Sequence, residues 1–125
     1  MYNILVVEDN EINQKVLCAY LNQDHISLTI AKNGNEAVSS FSKSKYDLIL
    51  MDIAMPEMDG LQATKKIRNK EFGKDMHIPI IAVTASDPHH NKEIFIDAGI
   101  DDYLSKPVDP DLLKNKITQY SKIQF

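Results

Sequence analysis

Short apolar runs alternate along this chain with longer stretches in which apolar residues recur every three or four positions. Ile4-Leu5-Val6-Val7, Leu48-Ile49-Leu50-Met51 and Ile80-Ile81-Ala82-Val83 are unbroken apolar runs. Each is too short for a typical helix and has no polar side, so each reads as a strand buried on both faces. Ser27 to Ala31, with Leu28 and Ile30 in alternation, reads as a strand with one polar side, and Asp102 to Ser105 as a short, weak strand. Helical spacing fills the intervals. Asn10 can cap a first helix whose apolar positions are Ile12, Val16, Ala19 and Tyr20. Asn33-Gly34 is a turn signal ahead of a second helix with Ala37, Val38 and Phe41. Gly60 to Asn69 predicts a third, with Gly60, Ala63 and Ile67 on one face, followed by a polar loop from Glu71 to His77. Pro88 fits the first turn of a fourth, with Ile94, Phe95 and Ala98 inward and Gly99 as its stop. Asp109 caps the last, whose apolar face is Leu113, Ile117 and Tyr120.

Five strand–helix units in succession predict an α/β fold, a five-stranded parallel sheet with helices on both faces. The three fully apolar strands belong in the middle and the other two at the edges. That fits the flavodoxin-like, doubly wound order 2-1-3-4-5, whose switch point lies between strands 1 and 3. No internal repeat or linker interrupts the pattern, so residues 1–125 read as one domain.

Composition narrows the class. The chain has 125 residues, 43% of them apolar and 26% charged, the proportions of a soluble globular domain. A net charge of -4 argues against direct nucleic-acid binding by the domain as a whole. No apolar run approaches the ~18 residues of a membrane span, and no signal-peptide pattern precedes Ile4. Cys18 is the only cysteine, so no intrachain disulfide can form and a cytoplasmic setting is the default expectation. Cys18 itself reads as a small apolar group on a helix.

The candidate chemistry sits where strands end. Asp52 follows the Leu48 strand and opens a loop holding Pro56 and Asp59-Gly60. Alone, a strand-end Asp is most simply a cap for the next helix. In a parallel sheet, however, all carboxyl ends share one edge. Glu8 and Asp9 leave strand 1 there, Thr84 leaves strand 4 and Lys106 leaves strand 5. Carboxylates at ~4 Å repel by on the order of 4 kcal/mol per pair at an effective dielectric of ~20, which a divalent cation relieves. Oxygen ligands without His or Cys suit Mg²⁺, or Mn²⁺, rather than zinc. A cation, an ammonium and a hydroxyl together match a phosphoryl group, and a carboxylate can itself be the nucleophile. Walker-type glycine loops are absent from the sequence, which disfavours nucleotide hydrolysis. His25, His77, His89 and His90 lie away from these strand ends and read as surface residues.

Taken together, Glu8-Asp9, Asp52 with Met55-Pro56 and Asp59-Gly60, Thr84-Ala85 and Lys106-Pro107 give the chain, over essentially its whole length, a resemblance to the receiver domains of two-component response regulators. The resemblance implies a phosphorylation-activated switch in a phosphorelay. Asp52 would accept a phosphoryl group from the phosphohistidine of a histidine kinase or histidine phosphotransfer domain, and the domain would slowly dephosphorylate itself. It implies Mg²⁺ held by Asp9, Asp52 and the backbone carbonyl of Ala54, with Glu8 direct or through water. Thr84 and Lys106 would bind the phosphoryl oxygens, and the Lys106–Pro107 bond would be cis. Tyr103 matches the switch aromatic, and Ala54 and Ser86 stand where residues tune phosphoryl lifetime. Drawing Thr84 toward the phosphoryl group would move the Ala85–Pro88 loop. Space near strand 5 would open, Tyr103 would turn inward, and helix 4, strand 5 and helix 5 would form the output face. The Glu8 to Gln14 stretch resembles receivers of hybrid sensor kinases, and the sequence leaves open a single-domain regulator or a piece of a larger protein. Competing readings are a receiver-like interaction domain without phosphorylation, a phosphatase working through an aspartyl phosphate, and a flavin-binding domain. The intact acid pair, Asp52, Thr84 and Lys106 oppose the first, Ala54 in place of a second acid the phosphatase, and carboxylates at the switch point the flavin.

Overall fold

The structure is a computed structural model and describes residues 1–54, 59–85, 92–121 and 125. Its elements run β1 (Tyr2–Val7), α1 (Glu11–Tyr20), β2 (Ile26–Ala31), α2 (Gly34–Lys43), β3 (Leu48–Asp52), α3 (Gly60–Glu71), β4 (Ile80–Thr84), α4 (Lys92–Ala98), β5 (Asp102–Ser105) and α5 (Pro110–Ser121). The five strands pair in parallel in the order β2-β1-β3-β4-β5. As predicted, β3 and β4 are buried along their whole length and β1 from Ile4 onward, while β2 and β5 form the half-exposed edges. Met55-Pro56, Ser86, Pro88, His89 and His90 lie outside the described residues.

Strand alternation divides the core in two. Leu5, Val7, Ile49 and Met51 project toward α2, α3 and α4, where Ala37, Ala63, Ile67 and Phe95 close one layer. Ile4, Val6, Leu48 and Leu50 project the other way and pack with Leu17, Leu21, Leu113 and Ile117 from the α1 and α5 side. Asn10, Asn33 and Asp59 cap α1, α2 and α3, each accepting a backbone N–H from three residues on. Asn33 therefore starts a helix directly rather than merely marking a turn.

Helix α1 turns a different face inward from the one its spacing suggested. Leu17 and Leu21 are buried, whereas Ile12, Val16 and Ala19 are exposed and Tyr20 is half-buried. Leu17 and Leu21 pack into the layer formed by β1 and β3, which turns the stripe of Ile12, Val16 and Ala19 outward. In α4, Phe95 and Ala98 face inward as expected, but Ile94 points to solvent.

The segment read as a polar loop starts one residue later, at Phe72, because α3 continues through Glu71, which is buried. Arg68 explains that burial. Its guanidinium pairs with Glu71 at 2.7 Å and Asp101 at 2.7 Å and donates to the carbonyls of Ile78 and Gly99. Glu71 also accepts the Ile78 N–H at 2.6 Å, and Asp101 that of Ile80 at 2.8 Å. One arginine thus ties α3 to the segments that lead into β4 and β5. His77 and His25 are exposed, as read from sequence, and His77 lies 2.7 Å from Asp101.

Candidate functional site

The sheet register brings the predicted residues together. Val7 pairs with Met51, so Glu8 emerges beside Asp52. Asp52 pairs with Val83, so Thr84 stands one position further along β4. Thr84 pairs with Ser105, and Lys106 follows, its N–H donating to the Thr84 carbonyl at 2.8 Å. Continuing the strand alternation, Glu8, Asp52 and Lys106 follow Val6, Leu50 and Leu104 toward α1 and α5. Thr84 follows Ala82 toward the opposite layer, where Tyr103 also packs.

Lys106 Nζ lies 3.2 Å from Asp52 Oδ1 and 3.3 Å from Glu8 Oε1. Glu8 and Asp52 are almost wholly buried, whereas Asp9 is exposed at the mouth. The three carboxylates offer oxygens that all lie within 4.8 Å of one another. The Ala54 N–H reaches Asp52 Oδ1 at 3.3 Å, while Asp52 Oδ2 is buried with no hydrogen-bond partner. Gln14, which the sequence did not single out, donates through Nε2 to the Glu8 carbonyl at 2.7 Å. It thereby braces the β1 end against α1. The Lys106–Pro107 bond is cis, in agreement with the expectation.

Electrostatics reflect the crowding. Burial first, then the adjoining Asp52 carboxylate, push the Glu8 carboxyl from 4.5 up to about 7, against the lowering influence of the Asn10 N–H and Lys106. For Lys106, burial would lower the ammonium pKa, but Asp52 and Glu8 outweigh it and the value is raised. The lysine therefore stays charged. Three carboxylates with oxygens this close, one of them buried and without a hydrogen-bond partner, form an all-oxygen donor set for a hard divalent cation. The donor set fits Mg²⁺.

Thr84 is buried at the end of β4, and Tyr103 is half-buried, with Lys116 Nζ 5.9 Å from its ring centroid. Lys116 also pairs with Asp102 at 2.9 Å, so the edge strand is tied to α5.

Residues 4–118 match the family model described as the response regulator receiver domain. The chain is 46% identical over 125 residues to hybrid signal transduction histidine kinase I of Dictyostelium discoideum, covering 95% of this chain and 7% of that protein. It is 38% identical to the oxidative stress response two-component system protein SSK1 of Candida albicans, covering 98% of this chain and 22% of that one. The chain thus spans a small fraction of these relatives' length. Among solved structures it resembles the receiver domain of Saccharomyces cerevisiae Ssk1, crystallised with the histidine phosphotransfer protein Ypd1. The TM-score is 0.88 at 38% identity, covering 97% of this chain and 89% of that one. It also resembles the receiver domain of sensor histidine kinase PA1611 from Pseudomonas aeruginosa PAO1, solved with magnesium coordinated in its active-site cleft. There the TM-score is 0.84 at 39% identity, with 95% and 96% coverage. No helix among the described residues is long and apolar enough to cross a membrane.

Proposed function

The chain belongs to the response regulator receiver family, and from that premise we propose that Asp52 is the residue on which its phosphorelay function turns. Asp52 takes a phosphoryl group from a phosphohistidine. The observation that carries this reading is the pairing of Asp52 Oδ1 with Lys106 and Ala54 while Asp52 Oδ2 stays buried and unpaired. A carboxylate so held presents its lone pairs from a fixed position, and phosphoryl transfer depends mostly on positioning and charge neutralisation. A phosphorus–oxygen bond to Asp52 forms as the phosphorus–nitrogen bond of the donor histidine breaks, and the imidazole leaves with the bonding pair. Hydrolysis of the acyl phosphate later restores the carboxylate.

Asp9, Asp52 and the Ala54 carbonyl would hold Mg²⁺, with Glu8 direct or through water, and Mn²⁺ could substitute. When bound, the cation supplies positive charge to the phosphoryl oxygens. Lys106 supplies a second, fixed positive charge, and Thr84 a hydroxyl for the phosphoryl group. Glu8, raised to about 7 by burial and the adjoining Asp52, would take up a proton in competition with such a cation, so loading should weaken as pH falls.

The donor docks beside the site. Ile12 and Val16 on α1 are exposed, Ile12 at 72%, and a hollow of about 280 Å³ runs between Val16, Tyr20, Pro107 and Val108 down to Glu8 and Lys106. Apolar surface around an acidic site suits a helical partner that carries the phosphohistidine. Output passes by way of Thr84 and Tyr103, which share a layer with α4, to the β5 edge of the sheet, where the α4–β5–α5 face meets a downstream protein.

Intact mass after incubation with acetyl phosphate and Mg²⁺ tests the assignment. Wild type gains one phosphoryl group and Asp52→Asn gains none. A labelled Asp52→Asn protein overturns it.

A further inference from the structure

An open hollow of about 790 Å³ lies at the far end of the sheet from Asp52, beside the residues that follow the carboxyl ends of α2 and α3. Phe41, Tyr46 and Met76 give it an apolar lining, the first two backed onto the core. Lys43, Lys45, Lys70 and Lys74 also line it, and all four are exposed. We propose that this hollow is a docking site for an acidic, amphipathic peptide segment of a partner protein. An apolar side chain of that segment enters against Phe41 and Tyr46 while its carboxylates meet the lysines.

Charge carries the argument. The chain has a net charge of -4, yet these four lysines gather at one end of it. None of them makes an ion pair among the described residues. Lys43 and Lys70 sit in the last turns of α2 and α3 and offset the helix dipoles. Lys45 and Lys74 lie beyond the helices and are not needed for that. The neighbouring acids offset them only in part. Asp47 also lines the hollow and accepts the Asn3 N–H through Oδ2 at 2.7 Å, which sets one carboxylate against the four lysines, and Glu71 is buried against Arg68. Asp75 is exposed but does not line the hollow.

Shape narrows the class of partner. Phe72, between Lys70 and Lys74, is 90% exposed, and Met76 is 46% exposed, so apolar area beside the lysines awaits cover. A flat bilayer cannot follow a hollow set between two helix ends. Nucleic acid calls for a broader basic field than four lysines on an acidic domain. A short segment carrying both carboxylates and an apolar anchor satisfies both features at once. Asp47 and Asp52 stand just before and at the two ends of β3, about 16 Å apart along an extended strand, so occupancy here leaves the phosphorylation chemistry free.

The test is an NMR and anisotropy titration of the full chain with a short peptide alternating Glu and Phe. A Lys–Phe counterpart, phosphatidylserine vesicles and oligouridylate run in parallel. The expected result is that the acidic peptide alone shifts amides of residues 41–47 and 70–76. Its affinity should fall roughly tenfold or more in Lys45→Glu/Lys74→Glu and weaken in high salt, with labelling by acetyl phosphate unchanged. Lys45→Gln/Lys74→Gln serves if the charge reversal disturbs folding. No shifts at this end, equal binding of the Lys–Phe peptide, or undiminished affinity in the lysine variants would overturn the proposal. So would tighter binding of vesicles or RNA to the same amides.

Discussion

Gly60 packs so closely on Asp52 that a Cβ at Gly60 would overlap the Asp52 carbonyl oxygen, and it would also lie 2.9 Å from the Ile53 Cα. The Gly60 N–H donates to the Ile53 carbonyl at 3.1 Å, which seals the start of α3 onto the end of β3. The loop that leaves Asp52 thus returns to it through a glycine. Gly60→Ala must push α3 or the Asp52 backbone aside, at about 1–3 kcal/mol. Urea unfolding should show that loss, with slower labelling by acetyl phosphate. Gly73→Ala, where nothing lies within 4 Å and only the positive φ of 80° is strained, should lose stability without slowing labelling.

Glu8 predicts a pH dependence. Its folded pKa, about 7, lies above the ordinary 4.5, so the metal-free native state binds the proton more tightly than the unfolded chain. That contribution is complete below 4.5 and is lost as pH rises through about 7. Mg²⁺ should reverse the trend, because it competes with the proton, and its affinity should fall as pH drops below about 7. Glu8→Gln should flatten the metal-free stability profile. Asp9→Ala should weaken Mg²⁺ by roughly tenfold through lost charge, tempered by exposure. Calorimetric metal titrations at several pH values read both effects.

Removing Arg68 strands Glu71 in a buried position and leaves Asp101 without its guanidinium partner. Arg68→Met should cost ~3–5 kcal/mol in denaturant unfolding, the penalty of breaking a buried pair from one side. Replacing Arg68 and Glu71 together by apolar residues should recover part of it. A loss below ~1 kcal/mol in the single variant would show that the network contributes only as an exposed pair does.

Thr84 and Tyr103 lie in the same layer as α4, on the opposite side from Lys106. Phosphorylation adds about -1.5 to -2 charge beside Thr84 and should draw its hydroxyl across. A bias of ~3 kcal/mol shifts populations roughly a hundredfold. NMR of the beryllofluoride-bound protein should show changes at Tyr103 and α4 that Thr84→Ala suppresses. Shifts confined to the pocket would separate the two residues functionally.

Ile12 is exposed in the first turn of α1, four residues after Glu8. Ile12→Asp should slow transfer from a phosphohistidine-bearing phosphotransfer protein about tenfold or more, as loss of an interface anchor does. Labelling by acetyl phosphate, which needs no docking, should be unchanged. Equal slowing with both donors would move the role of Ile12 from docking to the site itself.

Much of this molecule was legible in the order of its residues. Apolar runs at Ile4, Leu48 and Ile80 identify buried strands because only a strand covered on both faces tolerates an unbroken apolar run of that length. Once the strands are parallel, their ends must share an edge, so Glu8, Asp9, Asp52, Thr84 and Lys106 could be gathered without coordinates. Asn10, Gly99 and Asp109 marked helix limits because their chemistry is local. Tertiary structure decided what depends on phase and distant partners. Helix α1 carries two apolar stripes, and only the sheet beneath it chose Leu17 and Leu21 over Ile12 and Val16. Glu71 looks like a loop acid until the Ile78 N–H folds back onto it and Arg68, itself held by Asp101, pairs with it. Burial of Glu8, and with it a carboxyl that titrates near neutrality, arises only when strand 1 closes against strand 3. Periodicity records which residues want to be inside, whereas partner and protonation are set by neighbours far apart in sequence.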